Sequence, residues 1–577
     1  LQYALQPVSE TPAMPSLYYH PAQAGDGRWM QFGNLLHHLF ENFLIATDLV
    51  DVLADPYFDA AQMLMTNPEH HEAFRNRMLQ RIQERPAADW IAEFVDNGGI
   101  AATVYQKTQE ALSDPDIIAN GHAIPRPDGG VELGPVARLT RTPAQPGQAP
   151  VPADALVEQW RAEPRRVPTR TRRKGLPLEG VRVVELATII AAPLGAAFLA
   201  DMGADVIKVE PVGGDPFRGM ALGMGAARVN AGKRSLAVNL KSEAGRQIVL
   251  DLLKDADVLI HNYRPGVPER LGIGYEQVAA LNPGIVYLQS NGYGPDGPGA
   301  LRPSTHPIPG AAIGGAYYQM GERLPEALQS IDDLRKWTAR LMRANELNPD
   351  PNTAVVVTTA SLLGLMARER TGRGQRILVD MFGANAWANH DDFLSYPGKP
   401  DRPLPDSELC GLSATYRLYP CDGGQWLLTD RERREFHDLV VQNGFDAPSL
   451  ETLIRGDDDA VQALTTLFAW ETAEFWENLL AGAGIGCVRA DGPFPSRFWL
   501  EDPQARELGL TAAAEHPAWG PYQRHGALVR FDGVNGPLGP APLGGQHNEE
   551  LLRMLGYDAE RVAALQAEGV LWREAVE

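Results

Sequence analysis

Cysteine is nearly absent: Cys410, Cys421 and Cys487 are the only three in 577 residues. None belongs to a C-x-x-C pair and no His/Cys cluster accompanies them. That excludes a disulfide framework and a zinc site, and it points to a reducing cytoplasm. Long apolar runs are missing too. The longest, Thr353 to Ala367, is short and rich in Thr and Ser, so no segment reads as membrane-spanning. Residues 1–25 lack the basic start and apolar run of a signal peptide. The chain begins at Leu1 rather than Met, which reads as processing or truncation. Positive charge is in deficit, with 52 Lys and Arg against 73 Asp and Glu, a net charge of −21 and a pI near 5.1. No broad basic face is available for nucleic acid, although a few converging Arg and Lys side chains still suit a small anion.

Several catalytic signatures are also missing. No G-x-G-x-x-G follows the first predicted strand, and there is no H-E-x-x-H, G-x-S-x-G or EF-hand loop. The nearest approach is GAARVNAGKRS (225–235), a Walker A near miss with Ala227 for the first glycine and Arg234 for the magnesium-binding hydroxyl. ATP-driven, zinc and serine-hydrolase chemistry therefore lack their apparatus, and no metal site is expected.

What remains is an ordinary globular composition, 44% hydrophobic and 22% charged, long enough for several domains. Residues 145–177 read as a linker, first rich in Pro and Ala and then basic. After it, VRVVEL (181–186), DVIKVEP (205–211), DVLIHNY (257–263) and IVYLQSNGYG (285–294) read as strands, with helices over 192–202 and 242–254 between them. Strands alternating with helices predict a doubly wound parallel sheet with ligands at the strand ends Thr188–Ile189, Asn262–Tyr263 and Asn291–Gly294. The chain also repeats itself. YYHPAQAGDGRWMQF (18–32) parallels YRLYPCDGGQWLL (416–428), the Trp90 stretch parallels the Trp476 stretch, and DPDIIANGH (114–122) parallels DPQARELGL (502–510).

The segment Asp350 to Gln375, DPNTAVVVTTASLLGLMARERTGRGQ, places one carboxylate at the start of an apolar helix. On this segment alone Asp350 reads first as an N-cap ahead of Pro351, and second as a buried carboxylate that could act as a covalent nucleophile. Basic residues come as Lys233-Arg234, Lys241, Arg264, Arg270 and Arg302, either surface charges or partners for an ADP-like group near strand ends. His306 lies in the proline-rich loop RPSTHPIPG and reads as solvent-facing, while Cys410 and Cys421 read as packing residues.

Five ordered blocks now carry a resemblance: LEGVRVVELATIIAAPLGAAFLADMGADVIKVEPVGGDPFR, NAGKRSLAVNLKSEAGR, ADVLIHNYRPGVPERLGIGYEQVAALNPGIVYLQSNGYGPDGP, ARERTGRGQRILVDM and GGQHNEELLRMLGYDAERVAAL. Together they resemble the class III (formyl-CoA and carnitine type) CoA-transferase family across essentially all of 176–577. The resemblance implies an α/β fold with a Rossmann-like large domain (178–385 and 510–577) and an inserted smaller α+β domain (386–509). Residues 1–145 would be the back part of a preceding unit, a partial N-terminal repeat joined by the 146–177 linker.

By the same matching, the catalytic aspartate lies 21 residues before Thr371, at Asp350. CoA contacts fall on Thr188, Ile189, Lys241, Asn262, Arg270 and Arg302, with His306 and Gly411 as possible accessory residues. Thr305-His306 replaces a usual Tyr-Asp pair, His261 replaces a usual Asn or Glu, and the glycine-rich covering loop is reduced to Cys410-Gly411-Leu412. The implied reaction moves CoA from an acyl-CoA to a carboxylic acid through an aspartyl anhydride and an aspartyl-CoA thioester, with no permanently bound cofactor. The alternatives are an α-methylacyl-CoA racemase, whose histidine would match one position before His306, and a non-catalytic CoA-binding scaffold. The family's interlocked dimers imply a pseudo-dimer within a longer tandem chain, or pairing with a second chain.

Overall fold

The computed structural model describes residues 16–576, apart from 59–66, 147–151, 163–174, 221–222, 322, 346–348, 423, 429–432, 491–494, 533, 535 and 537. At its centre is a seven-stranded sheet. Its strands run in the order Arg138–Leu139, Gln375–Asp380, Val286–Asn291, Val258–His261, Arg182–Glu185, Asp205–Glu210, Arg234–Ala237. Six are parallel; Arg138–Leu139 joins the edge antiparallel to Gln375–Asp380. Counted from Arg182–Glu185, the parallel strands follow the order 3-2-1-4-5-6 of a doubly wound fold. The strands are continuous apolar runs because helices cover both faces. On one face Val184, Ile207 and Leu259 pack with Leu252, Leu551 and Leu565, so the C-terminal helices Asn548–Met554 and Ala559–Ala567 return to the sheet. On the other, Val183, Val206 and Leu288 pack with Ala196, Leu199 and Val357.

The expected repeat is visible in matched local geometry. Pro21–Gln23 and Trp29–Phe32 form an antiparallel hairpin paired on to Ala102–Val104. Tyr416–Cys421 and Gly424–Leu428 form another, paired on to Cys487–Arg489. Trp90 and Trp476 are both fully buried, and each indole N–H donates to the carbonyl eight residues earlier, Ile82 (2.9 Å) and Phe468 (3.0 Å). Asp114 and Asp502 each cap the Pro-started helix that follows, accepting from two backbone N–H groups.

The two copies differ in what covers them. The first sheet is buried on the second unit's helices Pro307–Ala312 and Ile331–Ala344. Thr338 Oγ1 donates to Pro21 O (3.2 Å), Asn345 Nδ2 to Gln31 Oε1 (3.1 Å) and Gln106 N to Ala311 O (3.1 Å). The second sheet has its own core around Tyr419, Phe468 and Trp476, but Tyr416 and Val488 stay exposed. In the linker expected over 146–177, the helix Ala153–Ala162 has no buried residue, and much of the basic run (163–174) lies outside the described residues. The helix Met381–Ala388 runs across the expected boundary at 385, because Asp380 caps it directly from the preceding strand. The sequence placed Asp350 as an N-cap; the helix runs Pro349–Thr371, so Asp350 lies inside its first turn.

His20 lies fully buried in the joint core, its ring stacked 5.2 Å from Phe32. Burial, then the positive charge of Arg75, pulls its pKa down to about 3. His20 is therefore neutral in the fold, and its contribution is intact above the unfolded value of 6.5. As pH falls towards 3 it is lost at about 1.4 kcal/mol per pH unit. His20→Leu is expected to stay within about 1 kcal/mol of the parent at pH 7.5. Between pH 6 and 4 it should lose stability less steeply, by one proton's slope, in denaturant titrations at stepped pH; identical slopes would refute this.

Candidate active site

The topology reverses between Arg182–Glu185 and Val258–His261, where an open crevice is expected at the carboxyl ends of the strands. Two reciprocal hydrogen bonds straddle it: Thr188 N donates to Asn262 Oδ1 (3.0 Å) and Asn262 Nδ2 to Thr188 O (2.9 Å). The next residue, Ile189, has φ 71°, a left-handed conformation that a β-branched side chain resists. Its N–H is held by both Asp215 carboxylate oxygens at 3.2 Å.

Asp215 belongs to a buried charge network. Lys208 Nζ reaches Asp215 (2.9 Å), Glu185 (3.0 Å) and the Ala187 carbonyl (2.5 Å). Lys233 Nζ reaches the other Glu185 oxygen (2.5 Å) and the Pro193 carbonyl (2.7 Å). The two ammonium groups thus fasten both ends of the 187–193 turn. Burial pulls the Lys233 pKa down to about 8 against the attraction of Glu185. Lys208 stays charged: burial opposes the charge, and Asp215 and Glu185 outweigh it. The structure thus corrects the reading of Lys233 and Arg234 as surface charges or ADP partners. Lys233 is turned inward, and Arg234 is forked on to Asp205 and paired with Glu550.

From this turn the helix Ala191–Asp201 runs against the helix Pro349–Thr371. Gly195 has no room for a Cβ against Ala354 and Val357 there, and its carbonyl accepts from Thr358 Oγ1 (3.0 Å). That packing brings Asp350, 6% exposed, to the wall of an inner chamber of about 210 Å³. Its Oδ2 lies 2.7 Å from His306 Nδ1, and an ionised carboxylate can only accept, so Nδ1 is the donor. His306 is therefore committed to Asp350, against the solvent-facing reading from sequence. Thr188, Ile189, Asn262, Arg264 and Arg302 line the same chamber. A larger outer cleft of about 740 Å³ shares Thr188, Asn262 and Arg264 and adds Arg270. Lys241, exposed after the edge strand Arg234–Ala237, lines neither cleft. Gly411 lies opposite Arg417 in the second small sheet, also outside both.

The sequence reading missed the wall supplied by the first repeat: Tyr19, Leu36, His38 and Leu39 line the inner chamber. The Tyr19 phenol is pushed above its ordinary range by burial and by the Asp350 charge, with the Thr305 hydroxyl partly opposing. Partial burial and then the Arg264 charge lower the His38 pKa. No local motif marks these residues, since their partners Arg264, Thr305 and Asp350 belong to the second unit. Lys208 did leave a signal, a lysine in the middle of the apolar strand DVIKVE.

Residues 6–154 and 178–548 match CoA-transferase family III. An acyl-CoA transferase of Fusarium pseudograminearum is 31% identical over 438 residues, covering 68% of this chain and 88% of that protein. An acetyl-CoA:oxalate CoA-transferase of Acetobacter aceti is 35% identical over 409 residues, covering 64% and 90%. A succinyl-CoA:glutarate CoA-transferase of Mus musculus is 28% identical over 414 residues, covering 68% and 90%. In fold, the chain is similar to a CAIB/BAIF family protein from Brucella suis, with TM-score 0.50 and 24% identity, covering 66% of this chain and all of that one.

The strained turn gives a direct test of the charge network. Asp215→Asn keeps the shape but leaves Lys208 undercompensated, with an expected cost of about 3 kcal/mol. It should also speed hydrogen exchange at the Ile189 amide well beyond that of the neighbouring strand amides. Unchanged exchange there would separate the network from the turn.

Proposed function

The chain belongs to CoA-transferase family III, and from that premise we propose that it moves CoA from an acyl-CoA donor to a carboxylic acid acceptor with Asp350 as the covalent nucleophile. The observation that carries the reading is the place of Asp350: nearly buried, in the first turn of a helix, in a chamber continuous with the switch-point crevice. A CoA chain lying along Thr188, Asn262 and Arg270 in the outer cleft would present its thioester to this carboxylate.

The attacking Asp350 oxygen forms a bond to the thioester carbonyl carbon and the C–S bond breaks, leaving a mixed anhydride and CoA thiolate. The thiolate then attacks the aspartyl carbonyl and expels the donor's acyl group as a carboxylate, giving aspartyl-CoA. The acceptor carboxylate runs the two steps backwards. Splitting one displacement in this way lowers each barrier, and the thioester supplies the activation, so no ATP enters. His306 holds one Asp350 oxygen through Nδ1–H and leaves the other to attack.

Against a two-base racemase stands position 305, where the racemase histidine would match and this chain has threonine, whose hydroxyl donates to the Gly33 carbonyl (2.6 Å). With only three cysteines in 577 residues, the chain suits a reducing compartment, and we place the enzyme in the cytoplasm.

We assign the exposed face of the second small sheet to the same face of a second copy of this chain, since the helices that cover the first sheet are already occupied in each copy. The equivalent face of the first sheet is covered by helices of the other repeat, and Val104, partly buried there, corresponds in register to Val488, 49% exposed. Sedimentation at micromolar concentration is expected to show a dimer that Val488→Glu dissociates; a monomeric parent would overturn this assignment.

The catalytic reading is tested by incubating the protein with a panel of acyl-CoAs and hydroxylamine, then mapping peptides by mass spectrometry. A hydroxamate on Asp350 is expected, and Asp350→Asn should abolish it and reduce turnover at least ~1000-fold. Deuterium uptake at the α-carbon of a 2-methylacyl-CoA without any adduct would point to racemisation. Neither signal would leave a CoA-binding scaffold.

A further inference from the structure

Arg302 is 8% exposed and lines the inner chamber beside Asp350. One guanidinium nitrogen donates to the Ala102 carbonyl of the first repeat, and the group lies 4.7 Å over the Tyr293 ring. Tyr293 donates to the same carbonyl (3.0 Å). The Arg302 Nε is buried without a hydrogen-bond partner, and no carboxylate among the described residues forms an ion pair with Arg302. Asp116 feels its charge, but its Oδ1 accepts from the Gly299 N–H (2.7 Å). A buried guanidinium that makes no ion pair is costly, and an anionic ligand would compensate it. Arg264, on the same wall, spends Nη1 on the carbonyls of Gly98 (2.8 Å) and Leu301 (3.1 Å) rather than on an acid.

The residues lining the chamber thus carry two guanidinium groups and a single carboxylate, Asp350. Building on the covalent mechanism above, we infer that Arg302, backed by Arg264, is the binding site for the acceptor's carboxylate, created by the covalent step itself. While Asp350 is free, its charge is the one anion set against this pair on the chamber lining, and it also supports the charge of Arg228. When Asp350 becomes a CoA thioester, the negative charge leaves with the donor's acyl carboxylate. The chamber then holds two cations and no anion, and the entering carboxylate is drawn in next to the aspartyl carbonyl it attacks. Order of binding follows from charge: donor before acceptor. This places Arg302 at the acceptor, not among the CoA contacts where the family matching put it.

The test separates the half-reactions in the full chain. Acetyl-CoA and succinyl-CoA serve as donors, and acetate, oxalate and succinate as acceptors. Arg302→Lys keeps the charge and the anchor to the first repeat; Arg302→Gln removes the charge. CoA release in a single turnover with hydroxylamine, and the donor KM, are expected within about threefold of the parent for both variants. Acceptor KM should rise roughly tenfold for Lys and roughly 100-fold for Gln. A rise in donor KM with acceptor KM unchanged would return Arg302 to CoA and overturn the inference. An equal loss in both half-reactions would reduce it to a structural role. If the parent forms no Asp350 adduct, the covalent reading fails first, and the inference falls with it.

Discussion

Two buried ammonium groups share one carboxylate, and the loop that walls the inner chamber hangs between them. Lys208 and Lys233 each take one oxygen of Glu185, and each also grips a backbone carbonyl, at Ala187 and Pro193. Such a cluster adds little net stability over a well-packed apolar core, because desolvation offsets most of the attraction. Its value here is geometric. It fixes where the 187–193 turn starts and ends, holds Ile189 where its own side chain would not go, and aims the following helix at the one bearing Asp350.

The sheet was legible from the sequence because its strands are buried on both faces and read as short apolar runs ending in polar or glycine residues. Boundaries differed by one or two residues at most elements, as expected where ends fray. The 3-2-1-4-5-6 order put Thr188 and Asn262 at the same crevice, as their places at two strand ends required. The charged residues were harder to read. Gly232-Lys233 follows the local grammar of a phosphate loop, with Gly232 at φ 78°, yet its lysine points into the protein. Whether a lysine faces inward depends on a carboxylate such as Glu185, 48 positions away. Lys241 and Arg270 look alike as sequence, and only packing separates an exposed loop from the lip of a cleft.

The repeat was legible in outline and misleading in detail. Its hairpins, its tryptophans and its Asp-Pro helix starts recur at matching places. Similarity between copies says nothing about where a copy docks, because docking is set by surfaces that no local pattern encodes. The first copy lies on helices of the second unit and contributes Tyr19 and His38 to the chamber that holds Asp350. The tandem sequence is therefore one functional object at this site, not two beads.

That arrangement has a consequence for how the enzyme tolerates dilution and change. The wall from the first copy and Asp350 from the second travel on one chain, so this pairing depends on a fixed effective concentration rather than on how much protein the cell makes. The two copies are also written separately. A substitution at Tyr19 or His38 reshapes this chamber without being mirrored in the other repeat, a freedom that a chamber built from two copies of one unit does not have.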